Sequence, residues 1–379
     1  MWYMTEERQI LVNAFREFAE NEIRPMIAKM EEQEEYPIEA IRKLGEFGML
    51  GLGIDEEFGG AGADFINYGL MLEEFAKESH GFALLAYLAS QLTIGAFYKY
   101  CTPDQVEKFI KPAIAGEKLC SIVLTEPCGV ANPAEYETTG VLDGDELVIN
   151  GSKILITNCD VADLHFVACR TGEFNPKTRE GITLVAVPAD TKGFSVGHME
   201  HKLGWHGSHT GQVYFDNCRV PKENIIGGFN KGWTPVQFGL APEYSAYGPM
   251  NLGAMEACYE KTKAYLKNRI QNGVSLWKAH EVIRNEMARL WVKINNYRYA
   301  VYGTLEDRNH GENVSAQAIA LKVEGEALLR EVASQCIEFH GGMGTVYETG
   351  IERFYRDAKM GGLGCGSNKS MINTLSYMV

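Results

Sequence analysis

The hydrophobic period of this chain changes twice, and that double change limits the architectures open to it. From about residue 5 to 116, apolar residues recur at helical spacing, as in I-L-V-N-A-F-R-E-F-A and I-R-K-L-G-E-F-G-M-L. Breakers such as E-E-F-G-G-A-G-A-D separate these segments. From about 119 to 226, short β-rich runs (L-V-I-N-G, L-H-F-V-A-C, I-T-L-V-A-V, Q-V-Y-F) alternate with turns such as D-G-D, the mark of an antiparallel sheet. From Trp233 onward the helical period returns, with long segments around 236–271, 279–305 and 314–340. The pattern predicts an α+β chain, mostly helical: an N-terminal helical domain at 1–118, a middle β domain at 119–226 and a helical bundle at 227–379. A chain of 379 residues is also longer than one core fills efficiently.

Charge and cysteine usage remove several function classes. Lysine and arginine total 36 against 50 acidic residues, a formal charge of −14, whereas nucleic acids and anionic membranes call for a basic footprint. The opening M-W-Y-M-T-E-E-R is charged at once, without the apolar core of an export signal. Gly81 to Tyr98 is uncharged and approaches membrane-spanning length, but Ser90, Gln91 and Thr93 interrupt it, which predicts a buried core helix. Nine cysteines lie scattered with no C-x-x-C pair. That speaks against a disulfide scaffold or a metal site and for a reducing cytoplasm.

Several stretches then fall into an order that resembles the acyl-CoA dehydrogenase family. They are L-T-E-P at 124–127, I-T-N at 156–158, K-L-G-W-H-G-S-H-T at 202–210, V-Y-F-D-N-C-R-V-P-K-E-N-I-I-G, N-R-I-Q-N-G at 268–273, and F-H-G-G-M-G at 339–344 before R-D-A-K. The resemblance spans nearly the whole chain. It implies a barrel-like middle domain, a C-terminal four-helix bundle, a homotetramer, bound FAD, a CoA thioester substrate and an electron-transfer flavoprotein as redox partner. Thr125, Thr157, Ser208 and Thr210 match positions at the flavin. Arg269, Gly341 and Gly342 match positions that hold the adenosine diphosphate part across a subunit interface. Arginine suits pyrophosphate by charge and planar donor fork, and glycine admits close backbone approach.

The departures are as informative. T-E-P is followed by C-G-V-A-N where the family carries a G-S-D element, and His206 replaces the usual arginine of L-G-x-R-x-S. The family's Y-E-G-T, with its catalytic glutamate, becomes Gly364-Cys365-Gly366 in R-D-A-K-M-G-G-L-G-C-G-S-N-K-S. A buried uncharged cysteine is a poor base, so Cys365 is expected to contribute its backbone N–H to a thioester oxygen. Isovaleryl- and long-chain-type members carry the base on a bundle helix, and counting back from Gly253 in A-P-E-Y-S-A-Y-G-P-M-N-L-G puts it on Glu243. Tyr244 stands where an arginine usually follows. Substrate contacts are expected from Gln91, Tyr244, Gly364, Cys365 and Gly366, with the loop glycines enlarging the pocket floor for a branched, alicyclic or aryl-bearing acyl group. Alternatives are an enoyl-CoA reductase, a non-redox enzyme acting on CoA thioesters, and a binding subunit without turnover.

Overall fold

A computed structural model describes residues 1–379 apart from Val130, Ala131, Asn132 and Ala241, and the side chains at 238–243 also lie outside the described residues. The first zone is helical. In α1 (Glu6–Phe18) the Thr5 hydroxyl accepts the Arg8 N–H, satisfying one of the free donors of the first turn, and the helix buries Val12, Phe15 and Phe18. Helix α2 (Ile38–Glu46) buries Ala40, Ile41 and Leu44. Helix α3 (Phe65–Glu78) starts at Asp64, whose carboxylate accepts the Asn67 N–H at 2.8 Å.

Helix α4 (His80–Tyr87) runs on into a π-helical stretch at Leu88–Gly95. The helical run His80–Tyr100 is long and apolar enough to cross a membrane, but 94% of its apolar window is buried inside the protein. Its Ser90 and Thr93 hydroxyls are answered locally: Ser90 donates to the Ala86 carbonyl at 2.6 Å and Thr93 to the Leu88 carbonyl at 2.7 Å. It is a core helix, as its interrupted apolar run predicts.

The middle zone holds β1 (Cys120–Val123), β2 (Thr139–Asp143), β3 (Glu146–Thr157), β4 (Leu164–Arg170), β5 (Ile182–Pro188), β6 (Phe194–Met199), β7 (Thr210–Pro221) and β8 (Ile225–Ile226). The sheet order is β6-β7-β3-β2-β4-β5-β8, with β1 also on β4. Most pairs are antiparallel, as the hairpin signals predict. Two are not: β1 runs parallel to β4 from Cys120↔Leu164 to Val123↔Val167, and β2 meets β4 in parallel at Thr139↔Arg170. The sheet is mixed because β1 and β2 lie end to end along one edge of β4, and all three run the same way.

The last zone contains α5 (Trp233–Leu240), a 3-10 turn (Pro242–Ala246), α6 (Tyr247–Asn268), α7 (Glu281–Asn309), α8 (Ser315–His340), α9 (Glu352–Gly361) and α10 (Asn368–Leu375). Helix α6 packs on α7 and α8 and also on α3 from the first zone. The approach to α3 is close, since a Cβ on Gly253 would stand 2.1 Å from the Glu73 carbonyl oxygen. At that junction Glu73 accepts from Arg298 at 3.2 Å and from the Tyr302 hydroxyl at 2.5 Å, and Tyr302 stacks on Tyr3 at 3.8 Å. The first and last helical zones therefore share one core.

Candidate active site

The T-E-P corner is built around a buried charge pair. Lys153 on β3 and Glu126 lie 2.8 Å apart with both side chains sealed from solvent. The Lys153 ammonium also donates to the Leu124 carbonyl at 2.9 Å and sits 3.8 Å from the centre of the Tyr136 ring. Glu126 takes the N–H groups of Glu137 at 2.6 Å and Thr138 at 3.2 Å. Burial opposes its ionisation, but Lys153 and these donors outweigh it and hold the carboxyl below its ordinary range. The corner ties Thr125 to the end of β3, because the Thr125 carbonyl accepts the Ile154 N–H at 2.9 Å.

At that end β3 bulges between Lys153 and Ile156, and Leu155 takes φ +55 with 57% of its surface exposed. A leucine held in the left-handed region and pushed outward is an outlier that points to a site. The bulge brings Thr157 opposite Thr210 on β7. The next residue, Asn158, is also left-handed, and its side-chain oxygen is buried with no partner. Thr125, Thr157 and Thr210 thus gather at one rim, with Ser208 buried beside them; the Ser208 carbonyl accepts the Lys202 ammonium. Leu155 and Asn158 belong to this rim and were not singled out in the sequence. No sequence signal marked Leu155: alternation puts it in the inward phase of Leu147, Ile149 and Lys153, and only the bulge turns it outward.

Trp205 joins this rim to the bundle. Its carbonyl accepts the Ser208 N–H at 3.0 Å, its own N–H donates to Asp357 Oδ1 at 2.6 Å, and its indole N–H donates to His80 Nδ1 at 2.8 Å. Accepting that bond fixes the His80 tautomer, so Nε2–H faces Asn251 Oδ1 at 3.2 Å. Burial pushes the imidazole down to about 4 and keeps it neutral. Burial, with Glu31 nearby, pushes Asp357 up to about 6 against the pull of the Trp205 N–H. His206, in place of the arginine, lies 3.3 Å from Glu31, which also takes Arg356 at 2.7 Å.

The glycine-rich loop after α9 closes on a buried ammonium. Lys322 on α8 donates to the carbonyls of Gly361 at 3.1 Å and Gly366 at 2.8 Å. Burial brings it down to about 8, partly offset by Cys365 and Glu326. Cys365 takes φ +52, and among the described residues nothing accepts its backbone N–H. Burial raises its thiol, with Tyr247 and Lys322 opposing. Tyr244 and Tyr247 both lie close enough to Cys365 for its charge to act on them. The turn Pro242–Ala246, which packs on α8 and runs directly into α6 at Tyr247, therefore lies near the Cys365 loop. The Glu243 side chain lies outside the described residues, as do Val130, Ala131 and Asn132.

The loop glycines do not leave the open floor expected from the sequence. A Cβ on Gly364 would stand 2.7 Å from Cζ3 of the Trp205 ring, one on Gly362 2.9 Å from the Glu326 carboxyl carbon, and one on Gly366 2.4 Å from Met371 Cε. The volume given up by the loop is occupied by side chains from elsewhere.

Arg269 ends α6 and is exposed, and its guanidinium has no hydrogen bond or ion pair among the described residues. Gly341 and Gly342 follow α8, with open space where a Cβ would point. The two helix ends meet through Tyr265 and His340, whose rings are 4.2 Å apart. Gln91 is buried against Gly53 and Gly95, its amide nitrogen without a partner, and no described contact joins it to the Cys365 loop. An orphaned amide oxygen at the threonine rim and an unpaired arginine beside open glycines fit the two ends of a dinucleotide such as FAD.

Family models match in the chain's own order: acyl-CoA dehydrogenase, N-terminal domain, at residues 5–117; middle domain at 121–218; and C-terminal domain at 230–378. The short-chain specific acyl-CoA dehydrogenase of Clostridium acetobutylicum is 33% identical over 94% of this chain and 93% of its own length. The caffeyl-CoA reductase-Etf complex subunit CarC of Acetobacterium woodii is 29% identical over 94% of both. The structure of butyryl-CoA dehydrogenase from Megasphaera elsdenii superposes with a TM-score of 0.92 at 28% identity, over 99% of this chain and 98% of that one.

Proposed function

Because the chain belongs to the acyl-CoA dehydrogenase family of FAD-dependent oxidoreductases acting on CH–CH groups, we propose that it oxidises the α,β bond of an acyl-CoA thioester with Glu243 as base. When bound, FAD supplies the acceptor for the hydride that leaves the β carbon. Thr125, Thr157, Ser208 and Thr210 would hold its flavin end, and Arg269, Gly341 and Gly342 its diphosphate end. Glu243 takes the α proton, and the free N–H of Cys365 donates to the thioester oxygen as charge builds there. Tyr244 and Tyr247 help to close the site against water.

The observation that carries this assignment is that Tyr244, in the Pro242–Ala246 turn, and Tyr247, just after it, both lie near Cys365. It supports a base in that turn serving the volume usually served from the loop. Cys365 is unsuited to the task, since burial raises its thiol and disfavours thiolate.

The acyl group we infer is compact. A widened floor was the reason to expect a branched, alicyclic or aryl-bearing group, and the filling of the loop glycines' space removes that reason at Gly364. A panel of butyryl-, isovaleryl- and 3-phenylpropionyl-CoA, read by flavin bleaching, tests the reading; the highest kcat/KM is expected on butyryl-CoA. The reductase direction is favoured by one observation, the likeness to the caffeyl-CoA reductase subunit, which also supports an electron-transfer flavoprotein as partner. Exposed Ile270, Val282, Trp291, Val292 and Tyr299 on α7 and the hairpin before it support assembly into a homotetramer. Nine free cysteines agree with a cytoplasmic setting.

A further inference from the structure

We propose that the Trp205 indole takes the place of the aromatic side chain that the family's Y-E-G-T loop would present at position 364, and that it sets the size limit of the acyl pocket. The inference rests on the acyl-CoA reading above and goes on to name the residue that decides the acyl class.

Gly364 does not need to be glycine for its backbone. Its φ lies outside the left-handed region, unlike that of Gly366 at +96°. What excludes a side chain there is the Trp205 ring, with Cζ3 at 2.7 Å and Cη2 at 2.9 Å from the Cβ position and the next atom, the Met360 carbonyl oxygen, at 3.4 Å. Two other glycines box the same residue. A Cβ on Gly81 would stand 3.3 Å from Trp205 Cα, and one on Gly361 3.8 Å from Cζ2. Small residues from α4, α9 and the loop therefore frame one indole.

That indole cannot swing aside to accommodate a neighbour. Its N–H is held by neutral His80, its backbone N–H by Asp357, and its backbone sits at φ +53. Only 5% of its surface is exposed. A flexible side chain at this point would yield to a large acyl group, whereas a ring pinned from both ends acts as a wall. Residue 364 immediately precedes Cys365, whose N–H is assigned to the thioester oxygen, so the wall stands next to the reacting carbons. The loop aromatic of the family and Trp205 are thus two routes to one wall, and a chain that has both is overpacked.

The test exchanges the two routes. Thermal unfolding of the FAD-loaded protein should show Gly364→Ala losing several degrees in the native background and little or nothing in the Trp205→Leu background. Equal losses in both backgrounds would show that the ring is not what demands glycine, and would overturn the proposal. In turnover, Trp205→Leu should shift the kcat/KM ratio of 3-phenylpropionyl-CoA to butyryl-CoA upward by about 10-fold or more, the scale on which a pocket wall discriminates. An unchanged ratio with flavin still bound would equally overturn it. Should Trp205→Leu fail to fold, Trp205→Phe keeps a ring but loses its bond to His80, and a smaller shift in the same direction is expected. A native protein inert to every thioester would sink the acyl-CoA reading and the pocket limit with it. In that case the unfolding pair would still show whether the ring is what demands glycine at 364.

Discussion

Lys153 and Glu126 are joined at 2.8 Å in a pocket that water does not reach, and the pair fixes the loop carrying Thr125 to the strand carrying Thr157. Removing one partner strands the other charge. Lys153→Met is therefore expected to cost about 3–5 kcal/mol of unfolding free energy, measured by denaturant titration. The pH response should change as well. The native Glu126 carboxyl titrates below its ordinary value, so its contribution is present above the unfolded carboxylate range and is lost as pH falls through the lower folded value. In the variant burial raises that carboxyl instead, and lowering the pH should recover part of the lost stability.

Glu243→Gln preserves size and hydrogen bonding but removes basicity. Turnover with a thioester is expected to fall at least about 10²-fold, the scale of general-base catalysis, while flavin stays bound. Cys365→Ala is expected to retain most activity, because the assigned donor is the backbone N–H. An active Glu243→Gln protein beside a dead, flavin-loaded Cys365→Ala protein would reverse the assignment.

Arg269 is exposed and makes no ion pair among the described residues, so its loss should leave the flavin-free fold intact. Arg269→Ala is expected to weaken FAD by about 10-fold or more, as loss of a hydrogen bond to a charged group does. The ratio of flavin to chain after dialysis measures this. A full complement of FAD in the variant would remove Arg269 from the site.

Lys322 offers a test by pH. Its folded value of about 8 lies below the ordinary 10.5, so between those limits the unfolded chain holds a proton that the native protein has released. Stability must then rise with pH across that window. Native protein should gain on Lys322→Met by up to about 3 kcal/mol between pH 8 and 10.5, measured as the difference in urea unfolding. A constant difference would mean that Lys322 titrates normally.

The order of zones was legible because hydrophobic period survives folding almost unchanged, and the motif threonines were picked out by the resemblance of their motifs to the family's. Parallel pairing on β4 was not, since strand direction depends on how the chain returns after the T-E-P corner. Lys153 was missed although it had a signal: it shares the inward phase of Leu147 and Ile149, where a lysine requires a buried partner. The glycine loop misled for a physical reason. Sequence shows which side chain has been given up, but not which distant ring has moved into its place, and Trp205 lies far along the chain from Gly364. The π-helical stretch Leu88–Gly95, which contains Gln91, has no local pattern that would announce it.

Tyr244 and Tyr247 lie near Cys365 although the two segments are far apart in sequence, so two places on the chain border a single volume. Such redundancy gives a lineage room to relocate a working group. A carboxylate acquired in one segment relieves selection on the other, which is then free to drift without an inactive ancestor in between. The backbone need not change at any step, only the identity of a residue at each of two positions. Proteins of this shape can therefore share every helix and strand and still differ over which stretch of chain does the chemistry, and a motif search at one address will miss those that use the other.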